Sequence, residues 1–499
     1  MKRIFPLLSA LSLLGCTMGP DFKPPAPPAA TAYTKEPLGP TSGDASAKDG
    51  EPQSFAMDRD IPAEWWSLFR SPELDASVRA SIVGNPNLTA AQASLNAAME
   101  NVEAQIGAYY PQVTGGLDAS RQKNSAVLSP TLASNTLLFN LYQAQLGATW
   151  TLDLWGANRR QVEALRAQAE AQRYLLEATY VALTANVVAA AVQEASLRDQ
   201  IAVTNQMLAA ERQVLAIEQH QKELGQIAGA DIAAQEVVVA QTEQTLPPLQ
   251  KQLAQTRDLL TALAGRLPSD EIPQSFTLDA LTLPVELPVS LPAKLVEQRS
   301  DIKIAEANLH AASAEVGVAI ANMLPNITLS AADGTVGTEV GQLLGPGAGF
   351  WSIGAGLTQP IFDGGQLLHK SRAAKELLNQ ASAQYQATVI AALQNVADAL
   401  HAVQSDGDAL RTAAAAEAAA QKSFDIAKRQ MDAGQIGRLQ LLGAQQAYLQ
   451  TRLAVSQAQA ARFADTAALF QALGGGWWNR SDEAAPPKES DSMLDLLRP

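Results

Sequence analysis

The sequence predicts a mainly α-helical protein with a small membrane β-barrel, built as two copies of one structural unit. The first observation is the length of two helix-like runs. Residues 157–224 contain neither proline nor glycine, and residues 366–433 are interrupted only by Gly407. At about 1.5 Å per residue, each run allows roughly 100 Å of continuous helix. The second observation is an alternation of apolar with small or polar residues ahead of each run, which is typical of strands. The third is that the whole pattern occurs twice.

The composition also favours long helices. Hydrophobic residues make up 47% of the 499 residues and aromatic residues only 5%, so alanine carries much of the apolar share. Such usage is typical of helices that pack closely side by side. The formal net charge is −14, and no basic cluster exceeds a short pair. A nucleic-acid partner is therefore not expected.

Residues 1–15 predict a signal peptide that ends before a lipid-modified cysteine. Lys2 and Arg3 precede an apolar stretch that is too short to span a bilayer. A small residue then precedes Cys16, the only cysteine, in a pattern that resembles a bacterial lipobox, where the thiol is acylated and the chain is cut. A plain signal peptide with an incidental cysteine is the alternative. Thr17 follows, where an aspartate would resemble an inner-membrane retention signal, so outer-membrane lipid is the expected anchor site.

Two flanking segments are expected to lie outside the folded units. Residues 16–60 are rich in proline, alanine, glycine and serine, which predicts an extended, lipidated tether with no core of its own. Residues 477–499 are predicted to form a polar C-terminal tail. Between these segments, the duplication predicts a first structural repeat at residues 61–283 and a second at residues 284–476.

The duplication is visible in short segments that recur at similar spacing. The matching pairs are Asn85-Pro86-Asn87-Leu88 with Arg299-Ser300-Asp301-Ile302 and Pro111 with Pro325 at an offset of 214, Leu146-Gly147-Ala148 with Ile353-Gly354-Ala355 at 207, and Gly225-Gln226-Ile227 with Gly434-Gln435-Ile436 at 209. Each unit is predicted to run helix, hairpin, very long helix, turn, helix.

The two hairpins are predicted to supply four strands, at about residues 112–124, 141–154, 326–336 and 350–361. In the second strand one face is apolar and the other is small or polar. The apolar positions are Tyr142, Ala144, Leu146, Ala148, Trp150 and Leu152. This alternation suits a membrane barrel with a wet lumen, although a half-buried soluble sheet shows it too. Four strands cannot close a barrel and open edges are not tolerated in lipid, so several chains would have to share one.

The helices are predicted at residues 157–224 and 366–433, with return helices at 231–265 and 439–473. A stripe of small and apolar residues recurs every seven positions along the first long helix, which indicates a packing seam. Each long helix is expected to end at a Gly-Gln-Ile turn. Asp231 is predicted to cap the first return helix.

No pattern predicts catalysis, a cofactor or a metal site. The sequence contains no Gly-Xaa-Ser-Xaa-Gly elbow, no phosphate loop and no clustered His, Asp and Glu. The glycine-rich residues 345–349 lie between two predicted strands, so a loop is expected there. A metal site needs ligands that converge, whereas the histidines are scattered. They are His220, His310, His369 and His401.

Several motifs, in one order along the chain, resemble the outer-membrane factors of tripartite efflux systems of the resistance-nodulation-division type. Those factors form the TolC-like family, and the predicted lipidated N-terminus of this chain resembles its NodT-type lipoprotein branch. The resemblance spans nearly the whole chain after the signal peptide. The motifs are Cys16-Thr17-Met18-Gly19-Pro20-Asp21-Phe22, Trp65-Trp66-Ser67-Leu68-Phe69, Pro72-Glu73-Leu74, Asn85-Pro86-Asn87-Leu88, Arg299-Ser300-Asp301-Ile302 and Gln359-Pro360-Ile361-Phe362-Asp363-Gly364-Gly365.

The resemblance implies a homotrimer with a shared twelve-stranded β-barrel above a twelve-helix periplasmic tunnel. It also implies that the tunnel tip docks with a periplasmic adaptor, or membrane fusion protein, joined to an inner-membrane efflux pump. The protein would then be a passive exit duct for drugs or other toxic compounds, which could confer antibiotic resistance. The residues assigned to adaptor docking are Gly225, Gln226, Ile227, Gly434, Gln435 and Ile436, and those assigned to the gate are Leu439, Asp231, Gln440 and Gly443.

This chain departs from the family pattern near the gate. Relatives often carry acidic residues just past the second turn, where rings of charge narrow the closed tunnel. The matching positions here, Gln440 and Gly443, are uncharged. Leu439 matches the family's constricting leucine and Asp231 matches an acid at the first turn. A leucine constriction is therefore expected, and the sequence leaves open whether the tip also carries an acidic ring.

Two other functions remain open at this point. The duct could serve protein secretion instead of small-molecule efflux. The chain could also be a periplasmic coiled-coil lipoprotein scaffold with no pore. The repeated hairpins, each with one apolar and one wet face, argue against the scaffold.

Overall fold

The computed structural model describes residues 17–44, 48–123, 125 and 137–481. The signal peptide, Cys16 and most of the predicted C-terminal tail lie outside these residues. The predicted start of the tail at residue 477 is wrong, because Trp477 is buried in the core and donates to the Gln298 carbonyl at 2.7 Å. The helices and strands, in chain order, are β1 (Ser54–Met57), α1 (Pro72–Gly84), α2 (Pro86–Ile106), β2 (Gln112–Lys123), β3 (Leu138–Leu152), α3 (Ala157–Glu223), α4 (Gly229–Leu263), β4 (Glu286–Val289), α5 (Pro292–Gln298), α6 (Ser300–Ala321), β5 (Asn326–Gly337), β6 (Gly349–Thr358), α7 (Gln366–Asp432) and α8 (Arg438–Ala472).

The two long helices have equal length, and so have their return helices. Helices α3 and α7 each contain 67 residues, and α4 and α8 each contain 35. The long helices end within one residue of the predicted positions, because no proline or glycine stops them before the turn. The apolar stretch of α3 could span a membrane by length and composition, but 67% of it is buried within the chain. It therefore serves as a packing surface.

The four longer strands form one antiparallel sheet in the order β2-β3-β5-β6. Pairing of β3 with β5 joins the first unit to the second, with Thr151 opposite Thr328. Strand β6 ends at Thr358, three residues before its predicted end, and Pro360 follows shortly after. Proline has no backbone N–H to donate to a ladder, which accounts for the shorter strand.

The strand pairing corrects one of the repeat offsets. Pro111 is equivalent to Pro325, so Gln112 is equivalent to Asn326. In the two hairpins these residues pair with Thr149 and Thr358. Strand β6 is therefore equivalent to β3 at an offset of 209. The offset of 207 inferred from the sequence is wrong by two residues. The difference is even, so every side chain keeps its predicted face.

The main core lies where the first unit meets the end of the second. The Trp65–Phe69 segment forms a 3-10 turn whose aromatic rings are buried. The ring centroid of Trp65 lies 5.5 Å from that of Phe470 on α8, and the centroid of Phe69 lies 6.0 Å from that of Phe463. Aromatic residues are few at the other buried helix positions, most of which carry alanine or valine.

The segment that precedes the core is not a free tether, which corrects the prediction for residues 16–60. The Met18 N–H donates to the Trp155 carbonyl at 3.1 Å, and Tyr33 Oη donates to the Ser290 carbonyl at 2.7 Å. Strand β1 pairs in parallel with β4. The segment has no core of its own, as expected, but it borrows one from the helices.

Residues 41–44 and 48–53 form a strap across α7 and α8. The Thr41 N–H donates to the Gln53 carbonyl and the Gln53 N–H donates to Thr41 Oγ1, both at 2.8 Å, which closes the strap on itself. Gly407 makes room for it, because a Cβ there would lie 2.8 Å from the Ser42 carbonyl oxygen. Arg462, only 1% exposed, reaches from α8 into the strap.

Candidate functional sites in the sheet and at the helix turns

The two turns that end the long helices share one backbone structure. Gly225 and Gly434 have φ of +71° and +69°, a conformation that glycine adopts without a Cβ clash. The N–H of Gln226 donates to the Gln221 carbonyl at 2.9 Å. The N–H of Gln435 makes the equivalent bond at 2.8 Å. Both turns are therefore Schellman motifs, in which glycine lets the chain satisfy the last helical carbonyls and reverse.

The predicted docking residues lie together on the surface of these turns. No atom lies within 4 Å of a Cβ built on either glycine. The Gln226 and Gln435 side chains are exposed, whereas Ile227 and Ile436 are half-buried and anchor the turns. The structure thus places all six residues at one end of the helices, far from the sheet.

The return helices begin with a shared capping contact that corrects the role given to Asp231. Helix α4 starts at Gly229, so Asp231 is its third residue and not its N-cap. The Asp231 carboxylate accepts the Ala228 N–H at 3.0 Å, and Gln440 Oε1 accepts the Gly437 N–H at 3.1 Å. In the second turn a neutral amide accepts the backbone N–H that a carboxylate accepts in the first turn.

The remaining gate candidates lie in the first two turns of α8. Leu439 is half-buried and Gly443 is exposed, with no atom near a Cβ built on Gly443. Arg438 Nη2 donates to Gln213 Oε1 on α3 at 3.2 Å. The second helical hairpin is therefore held to the first close to the turn where Leu439 lies.

Sequence reasoning missed a buried carboxyl that joins three helices above the turns. Glu211 on α3 is 1% exposed, and its Oε1 accepts hydrogen bonds at 3.0 Å from Thr242 on α4 and Gln446 on α8. Burial raises the pKa of Glu211, while the bonds from Thr242 and Gln446 lower it. No short motif marks Glu211, because its partners are 31 and 235 residues away.

Sequence reasoning also missed two aspartates, Asp153 and Asp363, which lie just before the two long helices at the end near the sheet. The Asp153 carboxylate accepts the N–H groups of Asn158 and Arg159 at 3.0 and 2.9 Å. The Asp363 carboxylate accepts those of Gly365 and Leu367 at 2.9 and 2.8 Å, and these bonds lower the pKa of Asp363. A carboxylate at a helix N-terminus is favoured by the helix dipole. Their spacing of 210 residues, close to the repeat offset, is the signal that could have identified them.

The sheet has two chemically distinct faces, and the strand register confirms the predicted alternation. Opposite residues in a ladder lie on the same face, so the pairs Trp150–Leu329 and Ala331–Ile353 share the apolar face. The other face carries pairs such as Thr149–Ser330. Large apolar side chains remain exposed on the first face: Leu117 at 85%, Ile353 at 79% and Trp351 at 74%. An uncovered face of this size is expected to contact lipid or another chain.

The model of the "Outer membrane efflux protein" family matches this chain twice, at residues 78–266 and 291–475. Each match falls within one predicted repeat. The probable efflux pump outer membrane protein TtgC of Pseudomonas putida is 28% identical over 482 residues, which cover 96% of each chain. Outer membrane protein OprJ of Pseudomonas aeruginosa is 28% identical over 475 residues, covering 94% of this chain and 95% of that one.

Solved structures show the same fold. The CmeC outer membrane channel of Campylobacter jejuni superposes with a TM-score of 0.80 at 21% identity, covering 94% of this chain and 97% of that one.

Proposed function

Because the chain belongs to the outer membrane efflux protein family, it is the outer-membrane channel of an efflux system and not an enzyme, and we propose that three copies assemble into one closed duct. Family membership removes the non-pore scaffold as an alternative. The relatives matched over the whole chain are named as efflux pump components, which favours small-molecule export over protein secretion.

The unpaired sheet edges carry the proposal of a trimer. Strands β2 and β6 form the two edges of the four-stranded sheet, and exposed edges are not tolerated in lipid. Within the chain, β3 of the first unit pairs with β5 of the second. Repetition of that junction requires β6 to pair with β2 of another copy. Three copies then close a twelve-stranded barrel, the size that the family resemblance implies.

The intramolecular junction predicts the register between copies. The register of β3 with β5 can be transferred to β6 and β2, using the offset of 209 between β3 and β6 and of 214 between β2 and β5. It places Thr358 opposite Gly116 of the next copy. Thr358→Cys combined with Gly116→Cys is expected to form disulfide-linked oligomers up to trimers on oxidation. Denaturing gels without reductant would measure them. Thr358→Cys with Gly115→Cys is the matched control, because Gly115 lies on the opposite face.

Absence of linked oligomers with Gly116→Cys, and equally with Gln112→Cys or Thr114→Cys on the same face, would contradict the shared barrel. Linkage at Thr114 instead would retain the trimer and correct its register by two residues.

We further propose that Cys16 is the lipidated first residue of the mature protein. Cys16 lies outside the described residues, but the segment directly after it is held at the junction of β3 and α3. Arg160, 4% exposed at its side chain, donates to the Met18 carbonyl at 3.1 Å and to Asp21 at 2.7 Å. A lipid chain attached just before Thr17 would thus lie beside the sheet.

Mass spectrometry of the N-terminal peptide is expected to show an acylated Cys16. Two or more acyl chains give stable membrane attachment, so the lipidated protein should remain with membranes after a high-salt wash. An unmodified thiol, or cleavage at another residue, would contradict the lipoprotein assignment.

The turns that end the long helices are proposed as the docking and gating end. They are the part of the chain farthest from the sheet, since each long helix extends roughly 100 Å. Their shared Schellman geometry and exposed glutamines offer equivalent surfaces to a periplasmic adaptor joined to an inner-membrane pump. Leu439, Asp231, Gln440 and Gly443 would lie at the narrow end of the tunnel, with Leu439 as its constriction.

The function is tested in cells that lack the gene. We expect these cells to accumulate an efflux substrate such as a fluorescent dye, and the parent gene to restore export. The trimer proposal is tested separately by the cross-links, so failure of one does not imply failure of the other.

A further inference from the structure

Two carboxyl groups face each other between α7 and α8, next to the strap. Asp406 and Asp465 interact through their side chains. Asp406 Oδ2 is shielded from solvent, and within the described part of the chain no hydrogen-bond donor reaches it. Two ionised carboxylates have only acceptors. The pair can therefore form a hydrogen bond only when one of its members carries a proton.

Burial favours that protonated form. Burial, followed by the neighbouring Asp465, raises the pKa of the Asp406 carboxyl to about 7, and Arg462 opposes the rise. Like charges held close together cannot both ionise easily, and their protons come off as a coupled pair. The Asp406 carboxyl is therefore poised to change charge near neutral pH.

Arg462 connects the pair to the strap. It lies one helical turn before Asp465, on the same side of α8. Its guanidinium donates to the carbonyls of Asp49 and Glu51 at 2.8 and 2.7 Å. It also donates to Gln53 Oε1 at 3.1 Å and Thr41 Oγ1 at 3.2 Å. All four acceptors are neutral.

We propose that the Asp406–Asp465 pair is a pH-sensitive latch for the strap, closed while the two carboxyl groups share a proton and released when both are ionised. Ionisation places two negative charges beside a guanidinium that is bound to neutral acceptors. Charge-assisted hydrogen bonds are about twice as strong as bonds to neutral groups, so the carboxylates compete for Arg462. Repulsion between them also pushes α7 away from α8.

The other charged groups around the latch have partners of their own, and of these Asp49 also acts on Arg462. On the strap, the Asp49 carboxylate accepts the Leu283 N–H at 3.3 Å, and Lys48 pairs with Asp279 at 2.6 Å. On α7, Asp408 pairs with Arg411 at 3.2 Å. Arg462 is therefore the cation that acts on Asp406 among the described residues.

The direction of the pH effect follows from linkage. A carboxyl group whose pKa is higher in the folded protein than in the unfolded chain binds its proton more tightly when folded. Its stabilising effect is full below the ordinary value of 3.8 and is lost as the pH rises through about 7. The strap should accordingly be held at acidic pH and loosened at alkaline pH.

Hydrogen exchange of the full-length protein in detergent tests the latch. Peptides that cover residues 48–57 are compared between the parent and Asp465→Asn at the same pH, which cancels the chemical effect of pH on exchange. An asparagine amide can donate to Asp406 at any pH. At pH 8.5 we expect these peptides to exchange about tenfold faster in the parent, and at pH 5.5 at equal rates within about twofold.

Asp406→Asn is expected to behave like Asp465→Asn and replaces it should the latter fail to assemble. Asp398→Asn is the matched control, because it removes the same charge from an exposed position on α7. It should retain the parent's response to pH. Equal exchange of parent and Asp465→Asn at pH 8.5, or loss of the response in Asp398→Asn, would overturn the latch.

Discussion

Leu439→Asp is expected to convert a closed channel into a leaking one. In the proposed trimer the three copies of residue 439 converge on the tunnel axis. Aspartate is favoured in the first turn of α8 by the helix dipole, so the helix itself should persist. Repulsion among three carboxylates costs the closed state on the order of 2 kcal/mol, which raises the open population about thirtyfold. Conductance of the purified protein in planar bilayers measures this change.

The effect should shrink when the introduced carboxyl groups are protonated at low pH, because the repulsion then disappears. Leu224→Asp is the matched control: it introduces the same charge at the other turn, where Leu224 is 60% exposed. If Leu439→Asp conducts no more than the parent or the control, the leucine constriction is wrong.

Gly434→Trp is expected to abolish efflux while the trimer still forms and enters the membrane. Placing a residue other than glycine at a φ of +69° costs roughly 1–2 kcal/mol. The 67-residue and 35-residue helices on either side of the turn pack against each other along their length, so the fold should tolerate this cost. The bulky ring would project from a turn that has open space around it, into the surface offered to the adaptor. Drug susceptibility should approach that of cells without the gene, and Gly225→Trp should behave similarly.

Gly39→Trp provides the control, since no atom lies within 4 Å of a Cβ at Gly39 and the residue belongs to the N-terminal segment. It should export at the parental level. A trimer band on a gel establishes assembly of each variant. Normal export by Gly434→Trp, with a trimer present, would show that docking does not use this turn.

Much of the architecture could be predicted because it depends on neighbours along the chain. The ends of α3 and α7 follow from runs of helix formers, broken only by Gly407 in α7, that stop at Gly225 and Gly434. The faces of the sheet follow from alternation with a period of two, which survives even a wrong repeat offset. The turns that end the long helices are predictable because the same tripeptide appears in both units.

The Arg462 clamp and the Glu211 bridge could not be predicted in this way. Each joins residues from distant parts of the chain, and no periodicity relates Arg462 to Thr41 or Gln53. The composition of the N-terminal segment predicts an extended tether, because these residues cannot build a core of their own. Composition alone does not reveal that another part of the protein supplies one.

The sequence by itself determined the lengths of the helices, the two faces of the sheet, the duplication and the family resemblance, since these are properties of local periodicity and spacing. Only the tertiary structure decided the register between β3 and β5, the docking of the strap, and the raised pKa values of Glu211 and Asp406. The physical reason is that burial and hydrogen bonding are set by whichever groups meet in space. Asp406 acquires its raised pKa from burial and then from Asp465 on α8, neither of which its own sequence neighbours specify.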